Sequence, residues 1–180
     1  MKKLLFVATL LLVACRKDDP APAGENTFSC QIDGKDFTPF ISDASQPFVG
    51  PKIKALESVY DRNRKILVVE GKTIDFRISF GVRSPTQATS FQLGYTRAPY
   101  PYSLNPDNYG YCVMIPNQTD PYNPTPNINY STDATNTGTV SFARFDTVAR
   151  VAVGTFAYTA REAATGKLVR VTNGKFNVKF

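Results

Sequence analysis

Apolar and polar residues alternate one by one in several short segments of this chain of 180 residues. The clearest segment is 74–80, where Ile74, Phe76, Ile78 and Phe80 are separated by Asp, Arg and Ser. A period of two places the apolar side chains on one face of a β-strand, and no segment keeps the period of about 3.6 residues of an amphipathic helix. The sequence therefore predicts an all-β fold of antiparallel strands, each with one buried and one solvated face.

Turn signals mark where the chain reverses between these strands. Asp33-Gly34 and Gly71-Lys72 are each expected to form the turn of a hairpin. The strands beside these turns, and others along the chain, are expected at 28–32, 53–60, 66–69, 74–80, 91–95 and 109–115. Short strands with turns at this spacing predict an antiparallel β-sandwich or a small β-barrel.

The segment 140–180 predicts a β-meander. Val151 and Val153 have odd numbers, whereas the next apolar pair, Phe156 and Tyr158, has even numbers. A change from odd to even numbers would turn the second pair to the opposite face of the strand. A β-bulge at Gly154 inserts one extra residue, which would return this pair to the core face. The segments 164–167 and 173–174 are expected to be turns, the second of them the type I′ turn that Asn-Gly favours.

The chain contains no histidine. This removes the Ser-His-Asp and Cys-His triads, the histidine-bearing zinc sites and the commonest general base of enzymes. No other catalytic motif is present, so we expect a protein that is not an enzyme and that carries no metal or cofactor. The 21 basic residues exceed the 15 acidic ones, but they form no basic cluster interleaved with aromatic residues, and no nucleic-acid partner is expected.

The first residues have the organisation of a bacterial export signal. Lys2 and Lys3 precede an apolar run at 4–14, which is too short to cross about 30 Å of hydrocarbon as a helix. The run ends in Leu-Val-Ala before Cys15 and resembles a lipobox, in which the chain is cut before a cysteine that carries diacylglycerol. We therefore expect a signal peptide at 1–14, a lipidated Cys15 with a flexible tether at 15–26, and one β domain at 27–180.

A second signal follows the cysteine. Lys17, Asp18 and Asp19 resemble the export signal that sends lipoproteins of Bacteroidota to the outer face of the outer membrane. The alternative is a short charged run that only keeps the tether in solvent. The resemblance implies an outer-membrane protein that is anchored by lipid and exposed at the cell surface. Its partners would be the membrane and a glycan or an envelope protein.

Motifs near both ends of the β domain carry a family resemblance. Residues 28–35, Phe-Ser-Cys-Gln-Ile-Asp-Gly-Lys, resemble the opening motif of small Bacteroidota lipoproteins classed as domains of unknown function. Residues 154–156, 165–167 and 172–176 resemble the closing motifs of the same proteins. The resemblance implies an all-β envelope lipoprotein, and it supplies no catalytic residue. The absent histidine and the lack of a catalytic motif favour a β domain with a binding or envelope-structural role.

The region 94–137 is rich in Pro, Tyr and Asn, and it is predicted to form long loops around one strand because proline is excluded from central strands. Tyrosine rings stack on sugar faces and amides bond to sugar hydroxyls, so the alternative function is a carbohydrate-binding module. The other interpretation is an Ω-loop that packs on itself. The candidate ligand-binding residues are Tyr95, Tyr100, Tyr102, Tyr109 and Tyr111.

Three acidic residues lie in the same region. Asp107, Asp120 and Asp133 offer oxygen atoms that suit Ca²⁺, but they lack an Asp-x-Asp-x-Asp spacing. Asx-turns that end strands are the expected role. A carboxylate-dependent hydrolase is a third hypothesis, for which the sequence identifies no catalytic pair.

Two cysteines lie inside the β domain. Cys30 and Cys112 are candidates for a disulfide, because disulfides persist in exported proteins. Cys30 has the parity of Phe28 and is expected in the core. Cys112 has the opposite parity to Tyr109 and Tyr111, so it faces outward if those tyrosines face inward.

A third short motif concerns modification. Asp146-Thr147-Val148 resembles the O-glycosylation acceptor of Bacteroidota, with Thr147 as the modified residue. A plain turn between two strands explains the same residues, although a turn is also a place that accommodates a glycan.

Overall fold

The fold consists of β-strands joined by short turns. The computed structural model describes residues 26–43, 52–96, 108–116 and 125–180, and within these residues it has eleven strands. They are β1 (Thr27–Ile32), β2 (Lys35–Phe37), β3 (Leu56–Asp61), β4 (Ile66–Lys72), β5 (Phe76–Arg83), β6 (Ser90–Leu93), β7 (Tyr109–Met114), β8 (Ile128–Ser131), β9 (Gly138–Asp146), β10 (Val151–Glu162) and β11 (Leu168–Lys179). The predicted all-β class is confirmed.

One continuous antiparallel sheet folds into two layers. The first layer has the order β3-β4-β5-β7-β8, and the second has the order β6-β9-β10-β11-β1-β2. The layers are continuous because β8 pairs with the end of β10, Ser131 with Arg161 and Tyr130 with Glu162. The described sheet has edges at β2, at β3 and at β6, which pairs only with β9. The fold is therefore an open sandwich, and the closed barrel of the sequence prediction is not formed.

Aromatic side chains fill the space between the layers. Phe80 of β5 is fully buried, and its ring centroid lies 5.1 Å from those of Phe156 and Phe176 in the other layer. Tyr158 of β10 crosses the core, and its hydroxyl donates to the carbonyl of Tyr111 in β7 over 2.8 Å. The inward face of each layer thus carries the alternating apolar residues that defined the strands.

The hairpin between β4 and β5 turns later than expected. Gly71 and Lys72 continue β4, and Gly71 pairs with Ile78 of β5. Gly71 is a packing position, since a Cβ atom there would lie 2.7 Å from Pro39 and 2.9 Å from the Phe28 ring. The turn comes at 73–75 and leaves Ile74 62% exposed. The prediction of a Gly71-Lys72 turn is therefore wrong.

The expected change of pairing at Gly154 is present, but the extra residue lies in the neighbouring strand. The β9–β10 register shifts between Val153 and Gly154, because Val153 pairs with Arg144 and Gly154 pairs with Phe142. Within β10, Ala152, Phe156 and Tyr158 join the main core, whereas Val151 and Val153 are buried outside it. The bulge therefore keeps Phe142 and Phe145 of β9 in one core, with ring centroids 5.7 Å apart.

The Asn173-Gly174 pair is also not a turn. Both residues lie inside β11, where Asn173 has a φ of 53° and the pairing with β1 and β10 shifts by one residue. A positive φ suits a bulge as well as a type I′ turn. The two final strands that the sequence predicts are one long bulged strand.

A candidate binding groove on the outer face of the sheet

The outer face of the first layer forms a groove of about 380 Å³. Val59 of β3 lies opposite Val68 of β4, and together with Ile66 these residues supply an apolar floor. Charged side chains of both signs line the remainder of the groove: Glu57, Asp61, Arg64, Glu70, Lys72 and Arg77. Val59 is 63% exposed, so the floor is open to solvent. An apolar floor with a few oriented polar groups is the usual composition of a ligand-binding site.

The sequence places apolar residues on both faces of β4. Ile66, Leu67, Val68 and Val69 are consecutive, so Leu67 and Val69 fill the core while Ile66 and Val68 point to the outer face. Such an unbroken run gives a strand without a polar side. The groove was not predicted, although this run was the signal that could have indicated it.

A three-membered ion cluster closes one end of the groove. The Lys72 ammonium lies 2.5 Å from Oε2 of Glu57 and 3.2 Å from Oε1 of Glu70. Burial by itself would lower the pKa of Lys72. The two carboxylates accept hydrogen bonds from its ammonium and attract it by their charge, and together these effects outweigh burial and raise the pKa of Lys72. One cation thus serves two carboxylates, and the cluster keeps one negative charge.

Asp61 stabilises the turn at the other end of β3. Its carboxylate accepts backbone N–H bonds from Asn63 at 2.9 Å and from Arg64 at 3.0 Å, in the turn before β4. These bonds, the Arg64 amide first, and the Arg64 guanidinium 3.3 Å away lower the pKa of Asp61 against the effect of burial. Asp61 is therefore ionised at neutral pH and fixes the turn.

The candidate tyrosines do not form one exposed platform in the described residues. Tyr109 lines the groove but is 2% exposed, and its ring packs over Gly81, where a Cβ atom has no room. Tyr111 is half-buried and donates its hydroxyl to Oδ1 of Asn129 at 2.6 Å. Tyr95 is 52% exposed. Tyr100 and Tyr102 lie outside the described residues, and the buried Tyr109 has no free ring face for a sugar.

The two cysteines of the β domain are both in the core. Cys30 is 4% exposed and Cys112 is fully buried, and both thiols are free, so the candidate disulfide is not formed in the structure. The opposite parity of Cys112 and Tyr109 was read correctly from the sequence. The tyrosines do not face inward, so Cys112 does not face outward: Gly110 and Cys112 face the core, whereas Tyr109 lines the outer groove.

We expect both buried thiols to be unreactive in the folded chain. Burial raises the pKa of Cys30 and of Cys112 to about 12, and the charge of Cys30 adds to the effect on Cys112. In a full chain with Cys15→Ser, maleimide should label no cysteine at neutral pH and should label both after unfolding without reductant. Failure to label the unfolded chain would reveal a disulfide.

The same burial gives a pH dependence of stability. The folded state keeps both thiols protonated up to about pH 12, whereas an unfolded thiol releases its proton near pH ~8.5. The contribution of the buried thiols to the free energy of unfolding is therefore complete below pH ~8.5, and it decreases as the pH rises toward 12. Urea unfolding between pH 7 and 11 measures this decrease, which should be smaller in a Cys30→Ala variant.

Asp133 has the structural role that was expected of it. Its Oδ1 accepts backbone N–H bonds from Thr135 at 2.8 Å and from Asn136 at 2.7 Å, which is an Asx-turn, and its Oδ2 accepts from Arg161 at 3.1 Å. These bonds, the Asn136 amide first, hold the pKa of Asp133 well below its usual range. Asp107 and Asp120 lie outside the described residues. Among those described, no group of three His, Cys, Asp or Glu side chains is arranged for a metal ion.

Thr147 lies in the exposed turn between β9 and β10. Asp146 forms an Asx-turn there, since its Oδ1 accepts N–H bonds from Val148 at 2.9 Å and from Ala149 at 2.8 Å. Val148 is 94% exposed. The turn explains the motif, and O-glycosylation of Thr147 stays a prediction.

The predicted anchor residues, Cys15, Lys17, Asp18 and Asp19, lie outside the described residues, as does the segment 1–14. The described part of the chain contains no helix with the length and apolar character needed to span a membrane. Comparison of the chain with protein-family models, with curated proteins and with solved structures finds no match.

Proposed function

We propose that the chain is a lipid-anchored protein of the outer membrane, displayed at the cell surface, whose β domain binds a partner without catalysing a reaction. The lipobox at Cys15 and the Lys17-Asp18-Asp19 signal support the anchor and the location. The absence of histidine from the sequence supports a non-catalytic role. The tether at 15–26 would hold the β domain away from the lipid.

The groove on the outer face of β3, β4 and β5 carries the proposal of binding. Isolated exposed apolar side chains are common on proteins, but here Val59, Ile66 and Val68 form one strip bordered by charges. The apolar strip would contribute affinity, and the charged groups at its ends would orient the partner.

Site-specific photo-crosslinking tests this proposal. A photoreactive phenylalanine analogue placed at Val59 should yield an adduct with an envelope partner when intact cells are irradiated. The same analogue at Val148, 94% exposed in the β9–β10 turn and outside the groove lining, is the matched control and should yield none. Equal adducts at both positions, or none at Val59, would argue against a binding role for the groove.

A further inference from the structure

Among the described strands, none lies beside the edge of β3 that faces away from β4, and this edge presents main-chain groups. The N–H of Lys72 donates to the carbonyl of Ala55 over 2.7 Å, so residues 57, 59 and 61 also point their main-chain groups toward β4. The N–H and C=O groups of Leu56, Ser58 and Tyr60 therefore point away from β4. In the described part of the chain, no strand pairs with this edge.

The three edges of the described sheet differ in how they are protected, and β6 is only four residues long. β2 is three residues long, begins with Lys35 and is followed by Pro39, and these are features that prevent further pairing. β3 has six residues paired with β4 without a bulge, contains neither Lys nor Pro, and exposes Val59 at its centre. A regular edge strand without protection is a template for another strand.

The side chains on the outer face of β3 determine which kind of strand it would accept. Glu57, Val59 and Asp61 share the outer face of β3, so an apolar residue lies between two carboxylates. Glu57 shares the one ammonium of Lys72 with Glu70, which leaves negative charge at this end although the chain as a whole has a formal charge of +6. Directly opposed residues on adjacent strands interact, and opposite charges favour pairing.

We propose that β3 binds an extended segment of a partner as an added strand, with a basic residue opposite Glu57 and an apolar residue opposite Val59. The main chain of the segment bonds to Leu56, Ser58 and Tyr60, and its outward side chains extend the apolar strip of the groove. This inference rests on the proposed binding role of that groove. A second copy of this chain fits less well, because the antiparallel register centred on Val59 would place Glu57 opposite Asp61 of the other copy.

Amide hydrogen exchange with a model peptide tests the proposal. The probe is the capped peptide Lys-Thr-Val-Thr-Lys, and the protein is the full chain with Cys15→Ser. The amides of Leu56, Ser58 and Tyr60 should exchange faster than those of Glu57 and Val59 in the free chain. At about 90% saturation their exchange should slow about tenfold, because only the unbound fraction exchanges.

Matched variants separate main-chain pairing from other effects. Ser58→Pro removes an N–H that the β3–β4 ladder does not use, and it should abolish binding of the peptide. Ser58 also donates its hydroxyl to the carbonyl of Lys179, so Ser58→Ala is the control that loses only that bond and keeps binding. A peptide methylated at its backbone nitrogens should fail to bind the unchanged chain, which keeps the test valid if Ser58→Pro does not fold.

Several results would overturn the proposal. They are equal binding of the acidic peptide Glu-Thr-Val-Thr-Glu, slowed exchange in β2 instead of β3, and slowed exchange that depends on protein concentration without peptide. The last result would assign the edge to a second copy. If any of these results is obtained but the photo-crosslinking experiment still yields an adduct at Val59, the groove keeps its binding role. Only the proposal of an added strand is then rejected.

Discussion

Replacement of Cys15 by serine is expected to abolish acylation and to release the whole chain from the membrane fraction. In the proposed anchor, diacylglycerol is transferred to the sulfur atom of Cys15, and the hydroxyl of serine does not replace this sulfur. Each buried CH₂ contributes about 0.8 kcal/mol and one acyl chain alone binds weakly, so loss of the several chains of a lipidated cysteine leaves no anchor. Labelled palmitate and fractionation of cells measure both effects.

The matched control for this variant changes the export signal and keeps the thiol. With Lys17, Asp18 and Asp19 all replaced by alanine, the chain should still incorporate palmitate but should become resistant to protease added to intact cells. The unchanged chain should be degraded under the same conditions. Incorporation of palmitate into the Cys15→Ser chain, or a mature chain that begins at another residue by mass spectrometry, would contradict the anchor.

Periodicity predicted the strands well because it reports a property of each strand by itself. The alternation at 76–80 identifies β5, and Asp33 and Gly34, with φ of 48° and 81°, form the turn that their sequence predicts. Gly71 and Gly174 lie inside strands and not in the predicted turns. Both glycines instead give room to phenylalanine side chains, Phe28 and Phe156, that approach from other strands. A sequence shows where glycine occurs but not which neighbour requires it.

The candidate site was harder to predict, because it depends on which strands become neighbours. Val59 and Val68 are opposite each other only through the β3–β4 pairing, and Tyr109 reaches the groove from β7, whose residues are far away in sequence. The parity of Tyr109 and Cys112 was evident from the sequence. Which face of β7 is buried depends on the second layer. Tyr158 of that layer packs over Gly110, so the face of β7 with the even-numbered residues lies in the core.

Replacement of Phe80 by alanine is expected to lower the free energy of unfolding by about 3–5 kcal/mol, the usual cost of deleting a buried phenylalanine ring. Phe80 is fully buried, and its ring contacts Phe156 and Phe176 at centroid distances of 5.1 Å, so the cavity would open where the two layers meet. A domain with a total stability of about 5–15 kcal/mol would lose a large part of it. The midpoint of urea unfolding measures the change.

Phe40→Ala is the matched control, because it deletes the same ring from a position that is 68% exposed. Its backbone N–H donates to the carbonyl of Lys72 over 2.9 Å, and this bond survives the substitution. The expected change is within about 0.5 kcal/mol, as for most surface positions. If the two variants unfold at the same urea concentration, Phe80 does not join the layers.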